Sequence, residues 1–183
     1  MTRVRIIAGK YKNKRIEALN KNDTRPTGEK LRESMFSSLG PIYGDILDLF
    51  GGSGALTIEA ISRGGERAII IDGAMDAIKV IKNNVEDLDE EIEIYRNDYR
   101  RAIKALHKRE RQFDFIFIDP PYNKKIADIA IRMIDEFDLL KLDGTVIVES
   151  GKNEHIKIAP FELEKVIEQG TTKCQFLRRD LND

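Results

Sequence analysis

Short apolar runs rich in Ile, Val and Phe alternate with longer amphipathic stretches from Asp45 onward. This alternation is typical of βαβ units stacked around a parallel sheet. The predicted strands cover residues 46–50, 68–72, 92–96, 113–119 and 145–149. The predicted helices between them cover residues 54–63, 74–87, 99–110 and 124–138. In the second helix Ile78, Ile81 and Val85 recur at helical spacing, which predicts one buried stripe.

The end of the chain carries two further predicted strands, residues 163–168 and 173–179. The joint between them, Gln169-Gly170-Thr171-Thr172, suits a tight hairpin. Together with the five strands before them, these two predict an α/β fold. Its sheet would have seven strands, mostly parallel, with helices on both faces and a C-terminal antiparallel hairpin.

The first forty residues follow a different pattern. Alternating side chains at residues 3–6 and 15–17, around Gly9-Lys10-Tyr11, predict a small basic β-hairpin. After the break at Thr24-Arg25-Pro26-Thr27, Thr27 is expected to cap a helix that runs to about Leu39. We therefore expect a basic N-terminal extension over residues 1–40 and the main domain over residues 41–183.

Charge is distributed unevenly along the 183 residues, although the net charge is only -1. Residues 1–32 carry ten Lys or Arg and three acidic residues, whereas residues 33–183 carry 21 basic and 29 acidic ones. This asymmetry favours a polyanion as partner, because basic side chains that neutralise phosphates release condensed counterions. A solvated basic hairpin explains it equally well. The candidate nucleic-acid contacts in the hairpin are Arg3, Arg5, Lys10, Lys12 and Lys14.

Other composition signals narrow the class of protein. No apolar run reaches the roughly 18 residues that span a bilayer, and the first residues lack the apolar segment of a signal peptide, so a cytoplasmic protein is expected. One cysteine and two histidines are a poor supply of zinc ligands, so no structural metal is expected. Cys174 is expected in a packed strand, and His107 and His155 on the surface.

The first predicted strand runs into a glycine-dense turn, Gly51-Gly52-Ser53-Gly54. Glycines let the backbone approach a ligand, and the following helix offers free N–H groups. Acids follow the next two strands at the same sheet edge: Asp72 could accept both ribose hydroxyls of a nucleoside, and Asp98 a hydrogen bond from an adenine amino group. Either acid alone is more often a helix cap. NAD-binding folds share the turn, so a dehydrogenase stays open at this point.

The fourth predicted strand ends in Asp119-Pro120-Pro121-Tyr122. Two prolines stiffen the backbone and remove two N–H donors, so that carbonyl groups face outward. The Asp119 carboxylate and the Pro120 carbonyl could each accept one hydrogen of an exocyclic amino group and stabilise the positive charge that develops on its nitrogen. Tyr122 could stack on a base that has been unstacked or flipped out. The motif therefore predicts methylation of an amino group.

Over about residues 45–180 this order of motifs resembles the class I S-adenosylmethionine-dependent methyltransferases, which have a Rossmann-like fold. The resemblance implies S-adenosylmethionine as cofactor and S-adenosylhomocysteine as product. It implies that the glycine turn faces the methionine moiety, that Asp72 binds the ribose and that Asp98 contacts adenine. Phe50 stands where many members have a first glycine. The implied cofactor-binding residues are Asp48, Phe50, Gly52, Gly54, Asp72, Asn97 and Asp98.

Nearly the full length also resembles the RsmD-type guanine-N2 methyltransferases of bacterial small-subunit ribosomal RNA. The segments that carry this resemblance are residues 5–12, 24–27, 47–64 and 119–122. It implies a 16S ribosomal RNA or small-subunit substrate and places Arg25 and Thr27 over the cofactor or target pocket. A monomer is expected. A DNA adenine-N6 methyltransferase, a protein glutamine N5-methyltransferase and a noncatalytic RNA-binding module stay open as alternatives.

Overall fold

The protein is an α/β molecule, here in a computed structural model that describes residues 3–19, 26–121 and 124–181. Its strands in these ranges are β1 (Arg3–Arg5), β2 (Arg15–Glu17), β3 (Asp45–Asp48), β4 (Arg67–Asp72), β5 (Glu91–Arg96), β6 (Phe113–Ile118), β7 (Leu140–Gly151), β8 (Glu162–Gln169) and β9 (Thr172–Arg178). Its helices are α1 (Pro26–Leu39), α2 (Ala55–Ser62), α3 (Met75–Val85), α4 (Tyr99–Lys108) and α5 (Lys124–Glu136).

The large sheet has seven strands in the order β5-β4-β3-β6-β7-β9-β8, and β9 pairs antiparallel with both β7 and β8. This confirms the predicted mostly parallel sheet with a C-terminal hairpin. From β3 the chain builds outward through β4 to β5, returns through α4, and then builds the other half from β6. Strand order therefore reverses between β3 and β6, and ligands of open α/β sheets bind in the crevice at the carboxyl ends of such a pair.

Helices cover both faces of this sheet. On one face, α4 and α5 pack against strand residues that include Leu47, Ile69 and Ile116. On the other face, α1 and α2 pack against the alternate residues, such as Ile46 and Phe117. Because successive strand side chains point to opposite faces, the uninterrupted apolar strands supply both cores.

Most predicted element boundaries lie within two residues of the observed ones. β7 is the exception, since it begins at Leu140 rather than at residue 145. Leu140 pairs with Phe113, and the register with β6 shifts before Thr145 pairs with Phe115. The polar pair Asp143-Gly144 at this shift interrupts the apolar pattern, which is why the sequence showed only the second half of the strand.

The prediction that Thr27 caps α1 is wrong. The helix begins one residue earlier, at Pro26, so Thr27 lies inside its first turn. Proline favours the first helical position because its fixed φ suits the helix and its missing N–H has no intrahelical partner there. Leu31 and Phe36 of α1 are buried in the core under the large sheet, so this helix packs as part of the main domain.

The predicted N-terminal hairpin is confirmed. β1 and β2 pair antiparallel, with Val4 opposite Ile16, and both side chains are buried against Ala55 and Ile58 of α2. The arginines at alternate positions point outward. His107 and His155 are exposed and Cys174 is buried in β9, as predicted. No helix in the described ranges is long and apolar enough to cross a membrane.

Candidate active site

The glycine turn leaves the carboxyl end of β3 and leads directly into α2. Gly52 and Gly54 adopt positive φ of 60° and 85°, and Gly54 is the N-cap of α2. A Cβ on Gly51 would lie 2.3 Å from the Ile70 side chain, so the turn is pressed against β4. A Cβ on Gly52, in contrast, would meet no described atom within 4 Å. Gly52 therefore faces open space at the switch point, which is the place between β3 and β6 where the strand order reverses. Glycine suits this position because it adopts a positive φ readily and has no side chain to cover the backbone.

Asp48 lies beneath this turn and is only 1% exposed. Its Oδ2 accepts a hydrogen bond of 2.8 Å from the Thr57 hydroxyl, and its Oδ1 accepts one of 3.3 Å from the Phe50 N–H. Burial raises the pKa of Asp48 to about 6, and the charge of Asp72 adds to the rise. Asp48 thus supports the turn from inside, and the structure does not bring its carboxylate to the open side.

Asp72 joins the glycine turn to the end of β4. Its Oδ2 accepts a 2.9 Å hydrogen bond from the Gly52 N–H, and its Oδ1 accepts one of 2.9 Å from the Ala74 N–H. Two backbone donors therefore fix the orientation of this half-buried carboxylate. Each oxygen keeps a further lone pair that can accept a hydrogen bond from a hydroxyl group.

Asn97 and Asp98 follow β5 at the same edge. The Asn97 N–H donates to the Asp72 carbonyl at 3.1 Å, and the exposed Asp98 caps α4 through the Arg101 N–H. The helix-cap interpretation of Asp98 is therefore confirmed, and its contact with adenine stays a prediction. Tyr99 packs against Phe50 with ring centroids 5.2 Å apart, and this aromatic pair stands beside the turn. Sequence patterns gave no reason to select Tyr99, because its partner is 49 positions away.

Asp119 and Pro120 lie half-buried just beyond β6, next to the glycine turn. Tyr122 lies outside the described residues. Pairing of Ile118 with Val148 brings the end of β7 beside this motif, and Glu149 follows there. Burial raises the pKa of the Cys174 thiol well above its ordinary value, and the negative charges of Glu149 and Asp119 add to the rise. Glu149 pairs in register with Cys174 on the strand next to the Asp119 motif, and the sequence analysis did not select it.

The basic residues of the N-terminal hairpin are partly neutralised within the chain. Lys10 lies 3.1 Å from the carboxylates of Asp89 and Glu90, and Lys14 lies 2.5 Å from Asp87. Arg5 pairs with Glu29. Arg3 and Lys12 are exposed. Arg25 and the side chain of Thr27 lie outside the described residues.

The order of the seven strands and the glycine turn at the switch point define the Rossmann-like fold of the class I methyltransferases. Within that class, the chain belongs to the family described as Conserved hypothetical protein 95, whose model matches residues 4–178. Ribosomal RNA small subunit methyltransferase D of Haemophilus influenzae is 31% identical over 156 residues, which cover 82% of this chain and 80% of that protein. YlbH of Bacillus subtilis is 41% identical over 150 residues, which cover 80% of this chain and 82% of that protein.

Solved structures share the fold. A conserved hypothetical protein of Streptococcus pyogenes is 30% identical, with a TM-score of 0.75 over 81% of this chain and 95% of that one. The Thermus thermophilus 16S rRNA N2 G1207 methyltransferase, solved with AdoMet and guanosine, has a TM-score of 0.69 at 20% identity over 98% of this chain and 50% of that one. Among the described residues, no group of three or more His, Cys, Asp or Glu side chains could hold a metal ion.

Proposed function

We propose that this protein transfers a methyl group from S-adenosylmethionine to the exocyclic N2 amino group of a guanine in 16S ribosomal RNA. The observation that carries the proposal is the position of Asp119 and Pro120 at the carboxyl end of β6, beside the open glycine turn of β3. The names of relatives support ribosomal RNA as substrate. Family resemblance supports the guanine N2 position.

The residues at the switch point fit an adenosyl cofactor. Gly52 leaves its backbone uncovered, the Asp72 carboxylate is oriented by two N–H groups, and Phe50 with Tyr99 forms an apolar wall. Asp72 would hold the ribose hydroxyls, and Asn97 and Asp98 would lie beside the adenine. When bound, S-adenosylmethionine supplies a methyl group that its sulfonium makes electrophilic.

Asp119 and Pro120 would position the target nitrogen. An exocyclic amino group is a weak nucleophile because its lone pair is delocalised into the base. If the Asp119 carboxylate and the Pro120 carbonyl each accept one amino hydrogen, the nitrogen is held in one orientation and the positive charge that develops on it is stabilised. Proline at 120 helps because its fixed φ limits movement of this carbonyl.

Glu149 favours guanine over adenine as the target. Guanine presents N1–H beside its N2 amino group, so two neighbouring carboxylates can accept hydrogens from both positions. Adenine presents an N1 lone pair beside its amino group, which a second carboxylate would repel. Glu149 of β7 lies on the strand next to the one that leads into Asp119, and in this proposal its carboxylate accepts the guanine N1–H.

The test is to incubate the protein with labelled S-adenosylmethionine and either ribosomal RNA or small subunits from a strain that lacks it, and to identify the product nucleoside by mass spectrometry. We expect N2-methylguanosine. Asp119→Ala should lower turnover by about two to three orders of magnitude, as loss of a transition-state acceptor does, with cofactor affinity little changed.

Glu149→Gln tests the guanine contact in the same assay, since it should raise the KM for RNA while leaving cofactor affinity unchanged. Near-normal turnover of Asp119→Ala would refute the mechanism. N6-methyladenine in naked duplex DNA would indicate the DNA enzyme, and a methylated glutamine in protein would indicate the protein methyltransferase.

A further inference from the structure

We propose that helix α4 carries a second binding surface for the phosphate backbone of RNA, on the opposite face of the sheet from the N-terminal hairpin. This surface, the α4 basic face, consists of Arg101, Lys104 and Lys108. The inference rests on the proposed function, because it takes ribosomal RNA as the partner. It extends that function by assigning contacts to a helix outside the basic extension.

The α4 basic face follows from the amphipathic pattern of the helix. Ala102, Ile103 and Leu106 are buried against the sheet. The α4 basic face occupies positions i, i+3 and i+7, which lie along one side of a helix, and all three of its side chains are exposed. The three positions span about 10 Å of helix axis, comparable with the rise of about three phosphates along one strand.

These three cations are not neutralised within the described part of the chain. No described acidic group lies within 4.0 Å of any of them, whereas their neighbour Arg109 pairs with Glu93 at 3.2 Å. The hairpin differs, because Lys10 and Lys14 already contact carboxylates of residues 87–90. A phosphate that binds the hairpin must displace those carboxylates, but a phosphate that binds α4 displaces only water and counterions.

The position of α4 links this surface to the active site. The helix begins at the carboxyl edge of the sheet, where Asp98 caps it and Tyr99 packs against Phe50 at the start of the glycine turn. Burial raises the pKa of Tyr99, and the positive charges of Arg100 and Arg132 oppose the rise, so Arg132 of α5 adds positive charge close by. RNA that delivers a base to Asp119 would thus meet basic side chains on both sides of the crevice.

A solvated helix face with no partner is the competing explanation, and a matched pair of variants separates the two. The test variant is Arg101→Gln, Lys104→Gln, Lys108→Gln, because glutamine keeps helix propensity and removes charge. The control, Lys79→Gln, Lys82→Gln, Lys165→Gln, removes three exposed charges from α3 and β8. The measurements are the affinity for ribosomal RNA across a salt series, the KM and kcat for methyl transfer, and the Kd for S-adenosylmethionine.

We expect the test variant to bind RNA at least about tenfold more weakly at low salt and to lower the slope of log affinity against log salt by about 2. Its kcat and its affinity for the cofactor should match those of the wild type. A salt slope and KM equal to those of the control would refute RNA binding by the α4 basic face. The proposal that the protein methylates ribosomal RNA would be unaffected by that result. Conversely, RNA binding that depends on α4 without N2-methylguanosine as product would refute the proposed function and support the surface.

Discussion

Asp48 shows how a single residue can support a site without lying on its surface. Its carboxylate is buried, and its hydrogen bonds to the Thr57 hydroxyl and the Phe50 N–H hold the start of the glycine turn. Burial penalises the charged form, so the pKa rises to about 6. Asp48 therefore holds the shape of the turn, but its buried charge lowers the free energy of unfolding.

Asp48→Asn should make the protein more stable near neutral pH. Since the folded pKa of about 6 exceeds the ordinary value of 3.8, the folded state binds the proton more tightly, and the stability contributed by this group is lost as pH rises through about 6. A difference of about two pKa units corresponds to about 3 kcal/mol, which is an upper bound for the gain at pH 7. Denaturant unfolding of both proteins between about pH 4 and pH 7 measures it.

The control is Asp143→Asn, which alters an exposed carboxylate of β7. Denaturant unfolding of this variant over the same pH range measures the effect of the same chemical change at an exposed position. If Asp48→Asn and the wild type show the same pH dependence, Asp48 does not titrate as its burial implies.

Residue positions that depend on neighbouring sequence could be predicted, whereas contacts between residues far apart in the sequence could not. The glycine turn, Asp72 and Asp119-Pro120 are local signals at strand ends. Glu59 is fully buried and accepts hydrogen bonds from Ile7 N–H and Ala8 N–H at 2.8 and 3.2 Å. Its donors lie about fifty positions earlier, so no periodicity within α2 distinguishes it from an exposed glutamate.

At the scale of elements, α2 supports the N-terminal hairpin as well as the glycine turn. The loop of the hairpin docks on its last turn, where Lys10 N–H donates to the Ser62 carbonyl at 2.8 Å and the Ser62 hydroxyl receives a 2.9 Å hydrogen bond from Tyr11 N–H. Gly9 adopts a φ of 90°, and a Cβ there would lie 2.0 Å from the Ser62 carbonyl oxygen. This close approach fixes the hairpin against the main domain.

Gly9→Ala should therefore undock the loop and destabilise the protein by roughly 2–4 kcal/mol, from overpacking and left-handed backbone strain together. Gly40→Ala is the matched control, because Gly40 also has a positive φ of 75° but has no described atom within 4 Å of the position of a Cβ. The excess loss in Gly9→Ala, measured by denaturant unfolding and by amide exchange of residues 4–17, isolates the clash. Equal losses in the two variants would show that the loop does not depend on this contact.

Element order was predictable because parallel strands that are buried on both faces are apolar throughout, and helices between them keep a single apolar stripe. The first part of β7 was not predicted, because polar residues at a register shift interrupt its apolar pattern. The docking of the hairpin could not be predicted from the sequence either, since it depends on backbone groups of α2 that no side-chain pattern reveals.

Considered as a whole molecule, the chain contains an acidic segment, residues 86–91, that lies against the basic hairpin. Asp87 contacts Lys14, and Asp89 and Glu90 contact Lys10. The sequence predicted the excess of positive charge near the N-terminus but not its internal neutralisation, because the acids lie more than seventy positions away. If RNA binds the hairpin, its phosphates must compete with these carboxylates.

Asp87→Asn with Asp89→Asn should strengthen RNA binding and steepen its salt dependence by about 1 in log–log slope, because Lys14 loses its carboxylate partner while Lys10 keeps Glu90. Exposed ion pairs contribute little to stability, so the fold should be retained. The matched control is Asp143→Asn with Glu162→Gln, which adds the same net charge at exposed positions elsewhere. A salt slope equal to that of the control would show that the hairpin does not bind phosphate.

The buried contacts of Glu59 and Ser62 also determine which segments must be exchanged together if the N-terminal hairpin is moved between relatives. A hairpin grafted from another family member would have to offer its own N–H groups to the Glu59 carboxylate, or it would leave this buried charge with Arg63 as its remaining donor. Asn84 adds a second constraint, because its amide group forms hydrogen bonds with the backbone of Glu17 in β2 and with the Ser53 carbonyl of the glycine turn. Chimeras that exchange residues 3–17 together with α2 and α3 should fold. Chimeras that exchange the hairpin alone would have mismatched hydrogen bonds between the hairpin and these two helices.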